Sequence, residues 1–186
     1  MIAAIVLAAG RASRMGANKL LVELDGEALV RHAVRAARAI GPVTVVTGHD
    51  AKDVRAALAD LDVACVHNAA YATGMASSIA AGIAACAADA DGALICLGDM
   101  PRVTSAHLAR LVAAFAGPSS IVAPTCHGRR GNPVLWGRDH FAALAALAGD
   151  TGARALLATH AVTWIALDDP AILVDVDTPD ALAALR

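Results

Sequence analysis

Short apolar runs alternate with segments of helical periodicity along the 186 residues of this chain. The runs are rich in β-branched side chains, as buried strands are, whereas the helical segments repeat apolar positions every three or four residues. The pattern predicts strands over residues 2–7, 43–47, 64–67, 93–97, 121–123, 133–136, 163–167 and 172–176. It predicts helices over residues 29–40, 53–61, 77–88, 105–115, 140–148 and 152–159.

This alternation predicts an α/β fold built on a largely parallel sheet. Asp25 and Gly26, between the short stretches 21–24 and 28–30, predict a tight turn. No linker, repeat or low-complexity segment interrupts the pattern, so we expect one domain over residues 1–186. A chain of this length buries roughly 70% of its unfolded surface.

Composition narrows the function classes. Apolar residues make up 58% of the chain, many of them alanines, which suits helices packed closely on a sheet. No apolar run approaches the roughly 18 residues of a transmembrane helix, and the N-terminus lacks the features of a signal peptide. We therefore expect a soluble, cytoplasmic protein that does not bind membranes. The net charge of −2 argues against a nucleic-acid-binding protein, which normally carries a basic face.

The cysteines and histidines do not suggest a metal or redox centre. Cys65, Cys86, Cys96 and Cys126 are scattered singly and form no C-x-x-C pair. Single cysteines within predicted strands and helices are typical of buried core thiols. The histidines show no zinc-binding spacing.

The loop after the first predicted strand carries the strongest functional signal. It contains two glycines, Gly10 and Gly16, and basic residues that include Arg14 and Lys19. A strand that opens into a glycine-rich basic loop is typical of polyphosphate binding. Two residues separate Gly16 from Lys19, which excludes a P-loop, and the loop lacks the third glycine of a dinucleotide-binding fingerprint.

A carboxylate follows the strand at 93–97. Gly98 permits the turn and Pro101 ends the strand, which leaves Asp99 at the carboxyl edge of the sheet. Mg²⁺ binds one or two such carboxylates together with substrate phosphates. The alternative is that Asp99 caps the next helix, but Thr104 or Ser105 is better placed for that role.

Two more aspartates follow the last predicted strand. Asp175 and Asp177 lie on the same side of an extended segment, and Thr178 is placed to cap a helix that Pro179 begins. One of the two aspartates is expected to complete a metal site with Asp99. We favour Asp177 over Asp175, and the alternative is a plain helix cap.

The loop at 67–78 joins a strand to a helix. Gly74 loosens this turn, and Ser77 or Ser78 can cap the helix while offering a hydroxyl to a base or a ribose. A plain helix start explains the same residues.

Two further loops carry charge. The loop at 127–136 holds paired arginines, which either clamp anionic groups or form a solvated basic turn. The segment 149–154 precedes a helix that Asp150 or Thr151 caps, and the free amides there can receive an anion.

These motifs resemble those of the molybdopterin nucleotidyltransferases. Residues 7–19 match, without gaps, the signature Leu-Ala-x-Gly-x-x-x-Arg-Met-Gly-x-x-Lys. The Gly-Asp-x-Pro at 98–101, the Asp-x-Asp-Thr-Pro at 175–179 and the Asn-aromatic-Gly-Met-x-Ser-Ser loop at 68–78 resemble the same family. The resemblance covers nearly the whole chain, and it is greatest to the molybdenum cofactor cytidylyltransferases.

The resemblance implies a fold and an activity. The implied fold is a Rossmann-like three-layer α/β/α sandwich of the nucleotide-diphospho-sugar transferase type. The implied reaction transfers CMP from CTP to the phosphate of molybdopterin, with or without its molybdenum, and releases pyrophosphate. Mg²⁺ is the implied cofactor, with Mn²⁺ as an alternative. The implied recipient of the product is a molybdenum hydroxylase apo-enzyme or its chaperone.

The resemblance also implies roles for residues. The implied nucleotide-binding residues are Leu7, Ala8, Ala9, Gly10, Arg14, Lys19, Asn68, Gly74, Ser77 and Ser78. The implied catalytic residues are Arg14, Lys19 and Asp99, and the implied metal ligands are Asp99 and Asp177. The implied acceptor-binding residues are Arg129, Arg130, Asn132, Asp150 and Arg154.

Three alternatives stay open. Guanylyl-transferring relatives carry two glycines where this chain has Ala9 and Gly10, and the extra methyl group is expected to disfavour a purine. A sugar-1-phosphate nucleotidyltransferase would share the first loop and Asp99. A non-catalytic nucleotide-binding or cofactor-binding chaperone would retain the fold without releasing pyrophosphate.

We predict that Arg14→Ala or Lys19→Ala lowers turnover on the order of 10²–10³-fold, as loss of one charge-stabilising donor does. The reason is that both charges neutralise a departing pyrophosphate, each pair being worth roughly 4 kcal/mol at 4 Å and an effective dielectric of 20. Steady-state pyrophosphate release is the measurement. Losses below about fivefold in both variants would show that this loop does not bind phosphate.

Overall fold

The computed structural model describes residues 1–10, 18–150 and 152–186, and within these ranges strands and helices alternate as predicted. The strands are β1 (Ile2–Ala8), β2 (Glu23–Leu24), β3 (Glu27–Ala28), β4 (Val43–Thr47), β5 (Ala64–His67), β6 (Gly92–Leu97), β7 (Ile121–Cys126), β8 (Arg129–Arg130), β9 (Val134–Gly137) and β10 (Thr163–Ala166). The α-helices are α1 (Leu29–Arg38), α2 (Ala51–Ala57), α3 (Met75–Ala84), α4 (Ser105–Ala113), α5 (Phe141–Ala145), α6 (Arg154–Thr159) and α7 (Pro179–Ala183). Arg14 and Thr151 lie outside the described residues.

The main sheet is mostly parallel. Its strand order is β10-β7-β9-β6-β1-β4-β5, and β8 pairs with β7. β1 lies parallel between β4 and β6, whereas β9 is antiparallel to both of its neighbours. β2 and β3 form a separate antiparallel hairpin across the predicted turn.

Helices cover both faces of the sheet. Ala4, Val6 and Ala8 of β1 face a core that includes side chains of α1, α2 and α4. Ile5, between them in the sequence, faces the opposite core, where α3, α5 and α6 pack. This alternation follows from the two-residue period of a strand. The predicted three-layer α/β/α sandwich is confirmed.

The connectivity places a crevice at one edge of the sheet. From β1 the chain runs outward through β4 and β5, and then crosses to β6 on the other side of β1. In open α/β sheets, ligands bind at the carboxyl ends of the strands next to such a reversal. The loops after β1, β4 and β6 therefore meet at one site.

The predicted strand at 172–176 is wrong. Residues Pro170–Leu173 form a 3-10 helix, which the side chain of Asp169 caps by accepting the Ala171 N–H at 2.8 Å. Ile172 is fully buried beside Cys126 and Leu167 without pairing in the sheet. The apolar run at these residues reflects the burial of the turn. A short buried strand and a buried turn produce the same apolar pattern, so the sequence does not distinguish them.

Several predicted helix boundaries differ from those in the structure. The helix predicted at 77–88 begins at Met75 and ends at Ala84, and the one predicted at 53–61 spans Ala51–Ala57. Alanine is tolerated on both the buried and the exposed face of a helix, so an alanine-rich pattern does not mark where the buried face ends.

The cysteines are free thiols, as expected. Cys96 and Cys126 are buried, and Cys65 and Cys86 are half-buried. Burial raises the pKa of Cys96 to about 12, so this thiol is inert at neutral pH. Among the described residues, none of the helices has the length and apolar character needed to cross a membrane.

Candidate active site

The carboxyl edge of the sheet carries one crevice with two lobes. We call the first the carboxylate lobe, a cavity of about 430 Å³ lined by Lys19, Asp99 and Asp177 among others. The second is the arginine lobe, a cavity of about 410 Å³ lined by Arg130 and Arg154 among others. The lobes are continuous, because they have five lining residues in common: Leu7, Met75, Leu97, Asp150 and Asp175.

Three aspartates converge in the carboxylate lobe. One oxygen each of Asp99, Asp175 and Asp177 lies within 4.8 Å of the others. The backbone N–H of Val176 donates to the Asp99 carbonyl at 2.9 Å, and the Val176 side chain is fully buried. Because side chains alternate along an extended segment, this inward valine turns both flanking aspartates towards the crevice.

Lys19 forms ion pairs with two of these aspartates. It begins the 3-10 helix Lys19–Leu21, which Asn18 caps by accepting the Leu20 N–H at 3.1 Å. Its Nζ donates to Asp99 Oδ2 at 2.6 Å and also to Asp177 Oδ1. Burial lowers the pKa of Lys19, but the two carboxylates outweigh burial, so the pKa is raised overall. Lys19 therefore stays protonated between them.

One ammonium does not neutralise three carboxylates. Burial, followed by the charges of Asp177 and Asp99, raises the pKa of Asp175 above its ordinary value. In addition, Asp99 Oδ1 is buried without a hydrogen-bond partner among the described residues. An unsatisfied buried carboxylate oxygen is costly. The donor set fits a hard divalent cation such as Mg²⁺ or Mn²⁺, which binds carboxylate oxygens.

The end of β1 and the two residues that follow it contribute three of the four nucleotide-binding residues expected there. Leu7, Ala9 and Gly10 line the carboxylate lobe. Ala8 is buried in the core on the opposite face of the sheet, so its side chain does not reach this lobe. Arg14 falls outside the described residues, and its role stays a prediction.

Asn68 braces the loop that follows β5. It is only 6% exposed. Its Nδ2 donates to Ser77 Oγ at 2.8 Å and to Ser78 Oγ at 3.0 Å, and its Oδ1 accepts the Ala70 N–H at 2.9 Å. Ser78 lines the carboxylate lobe, whereas Asn68 and Ser77 are not among its lining residues. In this structure, Asn68 and Ser77 hold the loop in shape.

Gly74 is required by close packing. Its φ of 117° lies in the region that favours glycine. A Cβ there would come within 2.4 Å of Asp150 Oδ1 and 2.5 Å of the Gly149 carbonyl. The Ala76 N–H also donates to that carbonyl at 3.1 Å. The loop at 67–78 therefore packs directly on the loop around Asp150.

The structure brings four of the five expected acceptor-binding residues to the arginine lobe. These are Arg130, Asn132, Asp150 and Arg154. Arg129 lines a smaller neighbouring recess instead. This lobe also has an apolar wall that was not among the expected site residues and that includes Ile95, Val134 and Trp136. Their apolar pattern signalled only buried strand positions.

The family profile described as MobA-like NTP transferase domain matches residues 4–164. The chain belongs to this family. As a MobA-like NTP transferase, the protein is a nucleotidyltransferase.

Two relatives differ in how much of their length the chain matches. The chain is 24% identical to the molybdenum cofactor cytidylyltransferase of Escherichia coli K12 over 178 residues, which cover 95% of this chain and 91% of that protein. It is 38% identical to the bifunctional protein GlmU of Kineococcus radiotolerans over 141 residues. That match covers 68% of this chain but 29% of GlmU, so the chain spans less than a third of this relative.

Solved structures support the same fold. Rv0371c from Mycobacterium tuberculosis H37Rv superposes with a TM-score of 0.89 and 31% identity, covering 99% of this chain and 96% of that chain. Rv0371c has also been solved in complex with manganese, with a TM-score of 0.81 and 30% identity over 99% of this chain and 97% of that chain.

We predict that Lys19→Met tightens the binding of Mn²⁺ to the nucleotide-free protein by about tenfold or more, since tenfold corresponds to about 1.4 kcal/mol. The ammonium competes with the cation for Asp99 and Asp177, and its removal leaves the cluster more negative. Titration followed by electron paramagnetic resonance of free Mn²⁺ gives the affinity. Lys52→Met, which removes an exposed lysine charge on α2, is the matched control. Equal or weaker binding by Lys19→Met would contradict competition at this cluster.

Proposed function

We propose that this MobA-like nucleotidyltransferase transfers CMP from CTP to the phosphate of molybdopterin and releases pyrophosphate. The observation that carries the proposal is the position of the aspartate cluster at the junction of two lobes. Asp175 lines both lobes, and Lys19, Asp99 and Asp177 stand beside it in the carboxylate lobe. A transfer reaction requires two substrates whose reacting atoms meet at one charged centre.

The carboxylate lobe suits the triphosphate. Attack of a phosphate oxygen on an α-phosphorus depends on positioning and charge neutralisation more than on acid–base chemistry. Asp99, Asp177 and Asp175 would hold the divalent cation, which supplies positive charge to the phosphate oxygens. Lys19 leaves the carboxylates and pairs with the phosphates as they arrive, which places its charge where the departing pyrophosphate develops.

The arginine lobe suits an anionic acceptor with an apolar body. Arg130 and Arg154 offer guanidinium groups to a phosphate. Ile95, Val134 and Trp136 provide apolar wall next to them. This combination suits a ring system that carries a phosphate, because the rings can lie on the apolar wall while the guanidinium groups bind the phosphate. The match to the E. coli cytidylyltransferase over nearly its full length supports the same acceptor.

The test is anaerobic pyrophosphate release with Mg²⁺, comparing CTP and GTP, each with and without molybdenum-loaded molybdopterin. We expect release that requires both CTP and the acceptor. Asp99→Asn is expected to lower it at least about 10²-fold, because it removes charge at the reacting centre. Asp89→Asn, at an exposed position that does not line either lobe, is the matched control.

The remaining outcomes each overturn a different part of the proposal. Release with GTP alone would keep the chemistry and reject the cytosine preference. Release with sugar phosphates in place of molybdopterin would reject the acceptor. Nucleotide binding without pyrophosphate release under any of these conditions would indicate a binding protein instead of an enzyme.

A further inference from the structure

The strand order fixes the sequence of subsites along the crevice. The neighbouring strands β6, β1 and β4 end at the site, and the antiparallel strand β9 begins there. The arginine lobe lies by β8 and β9, Asp99 follows β6, Ala9 follows β1, and Gly48 follows β4. A nucleotide with its reacting phosphate at the aspartates therefore extends its nucleoside towards the β1–β4 end, because the arginine lobe occupies the other side.

Tyr71 stands at this β1–β4 end. It begins the 3-10 helix Tyr71–Thr73, is half-buried, and lines the carboxylate lobe with Ala9 and Gly10. It is the only tyrosine of the chain, and no other aromatic side chain among the described residues lines this lobe.

Tyr71 packs closely on residues that follow β1 and β4. A Cβ built on Gly48 would lie 2.6 Å from Tyr71 Cβ, 2.7 Å from Tyr71 Cγ and 2.8 Å from Ala9 Cβ. Contacts below 3.0 Å are not tolerated, so the space between these three residues does not admit a single methyl group. The Tyr71 side chain thus packs at its Cβ and Cγ on the Gly48 backbone, and it packs against the core cluster that contains Ala9.

The loop that carries Tyr71 is anchored on both sides. The Tyr71 N–H donates to the Asn68 carbonyl at 3.3 Å, and the Asn68 side chain binds the backbone of Ala70 and the two serines that open α3. Thr73 Oγ1 donates to the Ala70 carbonyl at 2.8 Å. The ring is held by a braced turn, so it acts as a fixed wall.

We propose that Tyr71 is a specificity-determining residue, whose ring closes the base subsite and limits it to a one-ring base. The proposal rests on the nucleotidyl transfer proposed above. A purine carries a second fused ring, which would overlap a wall that Gly48 and Ala9 prevent from receding. Tyr71 thus selects the base from the loop side, whereas Ala9 does so from the end of β1.

The test is equilibrium binding of CTP and of GTP by calorimetry, with Mg²⁺ and without acceptor. Tyr71→Ala is expected to shift the CTP-to-GTP affinity ratio towards GTP by about ten- to a hundredfold, the scale of shape selection in a pocket. Tyr71→Phe is expected to keep the ratio of the unmodified protein, because the ring and not the hydroxyl forms the wall. Trp164→Ala, which removes an exposed aromatic side chain of β10 that lines neither lobe, is the matched control.

Gly48→Ala tests the same contact from the other side. The added methyl group pushes Tyr71 into the subsite, so CTP binding is expected to weaken about tenfold while GTP binding stays weak. If Tyr71→Ala lacks a cooperative thermal transition, Tyr71→Leu replaces it, since leucine keeps an apolar contact on Gly48 and shortens the wall.

An unchanged affinity ratio in the folded Tyr71 variant would overturn the proposal. Equal losses of affinity for CTP and GTP would also overturn it, because they would indicate that the ring stacks on either base without selecting between them. A shifted ratio in Tyr71→Phe would assign selection to the hydroxyl and reject the ring as the wall. Binding of neither nucleotide by the unmodified protein would instead reject the proposed function itself.

Discussion

Electrostatic balance at the aspartate cluster is the constraint on which the site depends. Three carboxylates within 4.8 Å of one another repel, and the Lys19 ammonium between Asp99 and Asp177 offsets part of that repulsion. The ion pairs join three distant parts of the chain: the segment after β1, the end of β6, and the stretch before α7. A cluster left short of positive charge in this way is suited to receive a cation together with an anionic substrate.

Packing behind the cluster makes this arrangement possible. Val176 is fully buried with Leu24, Leu29 and Leu182, so the segment that carries the aspartates cannot turn over without exposing an apolar side chain. Its backbone bond to the Asp99 carbonyl fixes it against β6. Burial of one valine thus sets the direction of two charged neighbours, and a hydrophobic contact determines the geometry of an ionic site.

Much of this organisation follows from the sequence, and the rest depends on long-range packing. Strands β4 and β5 lie at the predicted residues. For β4 the reason is plain, because an uninterrupted β-branched run bounded by loops has few alternatives. Asp99 and Asp177 lie together, since the strand and the closing motif each leave a carboxylate at the sheet edge. Asp175 lies with them as well, so the preference for Asp177 as the metal ligand stays a prediction. The local sequence pattern could not predict that the Asn68 amide donates a hydrogen bond to Ser77, because that bond depends on how the loop folds back. Nor could it separate the buried turn at Ile172 from a strand.

The two lobes share a wall and so do not behave as separate pockets. The loop carrying Tyr71 ends at Gly74, which is in close contact with Asp150, and the Ala76 N–H bonds to the Gly149 carbonyl. The loop at 67–78 and the loop around Asp150 are thus joined by close packing that leaves no room for a side chain at Gly74. A substrate that displaces the loop at 67–78 would therefore also press on the loop around Asp150, because the two loops are in direct contact. In the proposed reaction, selection of the base and binding of the acceptor would therefore be coupled through the packing of Gly74 on the loop around Asp150.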